Sequence, residues 1–126
     1  MEKEFIPYKL AVKLKELEFN ELCNTCYDKL GMTASYGENV FDYKNYNISE
    51  YVVSRSTFSQ AFRWFRENGF LIDFSSHDKD THDFYIKWGL FKQRGSILSD
   101  AYNTYEEAEL ACLQKMIEIV ENNLSN

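Results

Sequence analysis

Apolar residues return every third or fourth position through residues 104–122, TYEEAELACLQKMIEIVEN, the period of a helix that buries one face. This segment predicts a capped, amphipathic last helix. One carboxylate, Glu109, falls in the middle of the apolar face, with Tyr105, Leu113, Met116, Ile117 and Val120 around it on the helical wheel. A carboxylate so placed must snorkel to water, pair with a cation or take up a proton. A structural ion pair is the expectation for it.

The same period predicts a helix over residues 7–19. Pro7 stands at a plausible first helical position, Leu10, Leu14 and Leu17 form the apolar stripe, and Lys9, Lys13 and Lys15 fall off it as solvated groups. A third helix is expected over residues 57–68, where Thr57 and Gln60 form a capping-box pair and Gly69 supplies a left-handed terminator. Phe58, Ala61, Phe62 and Phe65 share its inward face, Arg63 and Arg66 lie opposite, and Trp64 sits at the border.

Period-two alternation marks half-buried strands. Phe70, Ile72 and Phe74 alternate with Leu71 and Asp73, and over residues 83–91 Phe84, Ile86, Trp88 and Leu90 alternate with Tyr85, Lys87 and Gly89. The intervening SSHDKDTH is a polar hairpin loop, and residues 93–101, with Gly95, read as a linker to the last helix. Residues 20–53 are the least legible. Strand-like pieces at 22–27 and 38–43 flank a turn signal at Asp28, Lys29, Leu30 and Gly31, and the tyrosine-rich segment 43–51 reads as an exposed, mobile loop. The element order αββαββα predicts one α+β domain over residues 1–126, a two-layer fold with three helices on a four-stranded antiparallel sheet.

Composition adds one unusual feature. The chain has ten Phe, nine Tyr and two Trp among 126 residues, more rings than a core of this size needs, so several Tyr and a Trp are expected at the surface, where aromatics favour protein contacts. The net charge of −6 opposes approach to phosphate backbones and anionic lipid, so neither direct DNA binding nor membrane binding is expected. It suits a basic protein partner. No apolar run approaches the roughly 20 residues of a membrane span, the first ten residues lack the apolar core of a secretory signal, and an odd cysteine count fits a reducing compartment. A cytoplasmic location is the expectation.

Candidate chemistry is sparse. Cys23 and Cys26 with His77 and His82 supply the ligand types of a zinc site, but about fifty residues separate the pairs, where compact zinc modules keep them within roughly 12–20. His77, Asp78, Asp80, His82 and Asp83 carry the groups of a metal or acid–base cluster, yet Asp-Lys-Asp at a hairpin tip is ordinary turn chemistry. No phosphate loop, nucleophile elbow or His-Glu-x-x-His motif occurs. The expectation is a non-enzymatic protein without catalytic residues, metal or cofactor. Arg63 and Arg66 beside Trp64 could grip an anion, and together with Tyr43, Tyr46 and Tyr51 they are the candidate partner contacts.

EFIPYKLAVKLKELEF at 4–19, FSQAFRWFREN at 58–68 and TYEEAELACLQKMIEIV at 104–120 together resemble a group of small phage- and prophage-borne proteins, with a departure across residues 24–51. The resemblance implies an accessory role during infection. In its most specific form it implies an anti-CRISPR inhibitor of a type VI-B RNA-guided, RNA-cleaving effector, acting by binding the effector or its guide-RNA complex in the host cytoplasm. The alternative is a sponge for a nucleotide signal of a bacterial defence system, held by Arg63, Arg66 and Trp64.

Overall fold

The computed structural model describes residues 4–34, 43–76, 81–90 and 93–124. These residues form an α+β structure with three α-helices and two three-stranded antiparallel sheets, in place of the expected single four-stranded sheet. The chain clusters into two compact units, Met1–Ala61 and Phe62–Asn126. Among the described residues no helix is long and apolar enough to cross a membrane.

In the first unit, α1 (Tyr8–Glu16) buries Leu10, Ala11 and Leu14, while Leu17 falls just beyond its end and is half-buried. The helix stops in a Schellman turn: Phe19 N donates to Leu14 O and Glu18 N to Lys15 O, with Glu18 in the left-handed region at φ 69°. A sheet of two-residue strands follows, β1 (Cys26–Tyr27) between β2 (Thr33–Ala34) and β3 (Val53–Ser54). The expected turn is present, with Asp28 Oδ1 accepting from Leu30 N and Met32 N. The return strand begins sooner than expected, at Thr33. Of the strand expected at 38–43, only Tyr43 lies within the described residues, and it is exposed.

Helix α2 (Phe58–Glu67) opens with the expected capping box, in which Gln60 N donates to Thr57 Oγ1 and Thr57 N to Gln60 Oε1. It ends at Gly69, whose φ of 100° is left-handed. In the second unit β4 (Phe70–Ser76), β5 (His82–Leu90) and β6 (Gln93–Leu98) pair in sequence order. The register sets Phe70 opposite Trp88, Ile72 opposite Ile86 and Phe74 opposite Phe84, which confirms the alternation read from the sequence. Rings join across this inward row: Phe65 meets Phe70, Phe70 stacks with Trp88, and Phe74 touches Phe62, Phe84 and Tyr105. Several tyrosines do lie at the surface, as expected, with Tyr43, Tyr51, Tyr85 and Tyr105 exposed, whereas both tryptophans are half-buried. Helix α3 (Tyr105–Leu124), capped by Thr104 Oγ1 accepting from Glu107 N, lies against β5 and buries Ala108, Cys112, Leu113, Met116, Ile117 and Ile119.

The expected linker at 93–101 is instead β6. Gly95 sits directly opposite Trp88, and a Cβ on Gly95 would stand 2.3 Å from the indole Cζ2. The glycine that reads as a chain break is what lets the indole lie across the strand, a pairing in which the ring shields backbone that the glycine leaves bare. Gly95→Ala is therefore expected to displace the indole and lower stability by about 1–3 kcal/mol. Thermal unfolding and tryptophan emission should both shift; an unchanged emission maximum with unchanged melting would contradict the pairing.

Candidate functional site

The segment expected to be a mobile tyrosine loop is instead a short 3-10 helix, Tyr46–Ile48, with flanks held by side chain-to-backbone bonds. Asn45 Oδ1 accepts from Asn47 N at 3.0 Å, which caps the turn. Asn47 then uses both ends of its carboxamide: Nδ2 donates to Phe19 O at 2.9 Å, and Oδ1 accepts from Ser54 N at 2.8 Å. Ser49 Oγ accepts from Tyr51 N. Lys15, expected to be solvated, donates from Nζ to Ser49 O and to Val52 O, the latter at 2.7 Å. Its position off the apolar stripe of α1 points it at unpaired carbonyls of this segment rather than at water.

These ties leave an apolar groove of about 680 Å³ lined by Lys44, Tyr46, Ile48, Ser49, Tyr51 and Val52, with Asn45 beside them. Of the tyrosines proposed as partner contacts, Tyr43 and Tyr51 are exposed, whereas Tyr46 is buried at 6% exposure and cannot be an exposed contact. The Tyr46 hydroxyl is buried without a hydrogen-bond partner among the described residues. The Lys29 ammonium lies 5.1 Å from the centre of the Tyr51 ring, which ties the hairpin turn to the groove.

Sequence reasoning did not single out Arg55. Its guanidinium lies 3.8 Å from the centre of the Phe5 ring and 5.6 Å from that of Tyr27, and its buried Nε has no acceptor among the described residues. Tyr27 is fixed by donating its hydroxyl to Ile6 O at 2.7 Å. No sequence signal separates such an arginine from an ordinary solvated one, because its rings come from distant segments. Arg63 and Arg66 are exposed on α2, as the helical wheel indicated. Trp64 is half-buried, and its ring meets Phe65 edge-on at 5.1 Å.

The thiols are held as thiols. Burial pushes Cys23 and Cys112 up to about 12 and raises Cys26, while Cys26 Sγ faces Ala34 O. None is poised as a nucleophile. His82 and Asp83 belong to β5; His77, Asp78 and Asp80 lie outside the described residues. Among the described residues no three His, Cys, Asp or Glu side chains gather so as to hold a metal ion.

Among the described residues Glu109 has no cationic partner, so the expected ion pair is not seen. Burial, then the nearby Glu106 charge, raise its pKa, against a smaller lowering effect of the Tyr105 hydroxyl one turn earlier. It does lie on the apolar face, but close to the start of α3, where Tyr105 is itself exposed and water reaches the face.

Set against known proteins, the chain matches no protein-family model, no curated protein and no solved structure.

Two outcomes follow from these contacts. Asn47→Ala strips two backbone groups of their partners, one of them on buried Ser54, and should cost about 2–4 kcal/mol in denaturant unfolding. Because the folded state raises the Glu109 pKa, it binds more protons than the unfolded chain between 4.5 and the raised value. The stability this contributes is complete below 4.5 and is lost as pH rises through the folded value. Glu109→Gln should therefore melt above the wild type at pH 7, with the gap closing in acid; equal melting at both ends would refute the linkage.

Proposed function

We propose that this chain is a non-enzymatic binding protein, and in its most specific form a phage- or prophage-borne anti-CRISPR inhibitor of a type VI-B RNA-guided RNase. The observation that carries the binding reading is the set of large apolar side chains left in water in the first unit: Leu30 at 87% exposure, Ile48 at 85%, Met32 at 63% and Tyr51 at 63%. Exposed apolar groups mark contact sites where they adjoin one another in a patch. Leu30 and Met32 sit at the hairpin turn that Lys29 ties to Tyr51, so a single partner can bury residues from both segments.

The net charge of −6 suits a basic, RNA-holding protein and would speed encounter with it, while a few buried apolar anchors would supply most of the affinity. With its thiols protonated, the chain would act by occupying a surface of the effector, altering guide loading or target access. The assignment to phage and to this class of effector rests on the resemblance of residues 4–19, 58–68 and 104–120.

The test uses purified type VI-B effector loaded with guide RNA. Wild-type protein is expected to co-purify with the complex and suppress target-RNA cleavage. The double variant Leu30→Asp, Met32→Asp should lose at least about tenfold in affinity, the effect of removing one or two anchors, without a change in melting temperature. Absence of retention by the wild type would sink the inhibitor reading, and equal retention of the double variant would sink the assigned surface.

A further inference from the structure

We propose that the groove of the first unit is a binding site for a nucleoside 5′-monophosphate, a ligand that joins a planar ring to an anion. This goes beyond the protein-binding reading and does not require a partner. The volume of about 680 Å³ lies within the roughly 300–1,000 Å³ of small-molecule sites and is larger than a single ring would fill. Its walls are Ile48, Tyr51 and Val52, with Lys44 as the charged member and no carboxylate among the described lining residues. In a chain of net charge −6, Lys29 at Tyr51 adds a second ammonium beside the groove.

The chemistry of each wall selects a part of the ligand. Tyr51 offers an exposed ring on which a base can stack, a contact that tolerates any base because every base has a π-face. Lys44 and Lys29 offer ammonium groups to a phosphate as point charges on flexible stems.

The walls are also fixed before any ligand arrives. Lys15 holds the carbonyls of Ser49 and Val52, and Asn47 holds Phe19 and Ser54, so little ordering remains to be done on binding. Lys15 is thus a positioning residue for the groove, its ammonium already committed to backbone. Glu50 is exposed and stands outside the lining.

The experiment is a calorimetric titration of the purified chain alone with adenosine and guanosine 5′-monophosphates, adenosine, inorganic phosphate and indole-3-acetate. With no second protein present, its outcome is independent of the effector assay. Saturable binding of at least one nucleotide is expected, at least about tenfold tighter than of adenosine or phosphate, since ring and anion contribute together. Tyr51→Ala and Lys44→Glu should each weaken it by about tenfold, with melting unchanged because both side chains are exposed. Lys9→Glu, an equal charge change at an exposed position on α1, should leave it intact. The proposal fails if no nucleotide binds, if Lys44→Glu is no worse than Lys9→Glu, if Tyr51→Ala binds as the wild type does, or if indole-3-acetate binds as tightly as the nucleotides.

Discussion

The carboxamide of Asn47 is the joint on which the first unit depends. It gives a donor to Phe19, at the turn that ends α1, and an acceptor to Ser54 in β3, while its own backbone nitrogen is held by Asn45. An amide can do this because it carries a donor and an acceptor on one short, rigid group. A carboxylate at the same place, having acceptors only, would leave the Phe19 carbonyl without its donor. The groove, the exposure of Tyr51 and the burial of Tyr46 all follow from where this joint sets the 3-10 turn.

The two units are stabilised by different means. The second follows familiar rules: a sheet with alternating faces, an inward row of rings and aliphatic side chains, and helical residues packed on them. The first has strands only two residues long and replaces ladder bonds with side-chain bonds from Thr25, Tyr27, Asn47 and Lys15. Such a structure can leave large apolar side chains outside, because its order does not require all of them to be buried. This is why the candidate surface lies in the first unit, and why the tyrosines there divide into buried and exposed.

The helices were legible because their signals are local. The Thr57–Gln60 capping box, Gly69 and the apolar stripes of α1 and α3 each act within a turn or two of chain, and the structure shows them as read except for Leu17, which falls beyond α1. β6 was not legible, since Gly95 has meaning only once Trp88 stands opposite it. Lys15 was misread because helical periodicity reports which side chains avoid the helix's own apolar face, and not what the rest of the fold brings to the other side. For Glu109 the wheel gave the right angle and no depth. A residue near a helix end can share the angle of the core and still meet water.

Local pattern alone carried the α+β class, the three helices, the Thr57–Gln60 and Thr104 caps, and the inward and outward faces of β4 and β5. Each of these depends on residues close together in the chain, so composition and spacing suffice. Tertiary structure alone decided the division into two small sheets, the pinning of segment 43–51, the Arg55 stack between Phe5 and Tyr27, and the groove with lysine at its edge. These arise where a long side chain or a carboxamide meets a backbone group or ring from a remote segment, a meeting that no local pattern encodes.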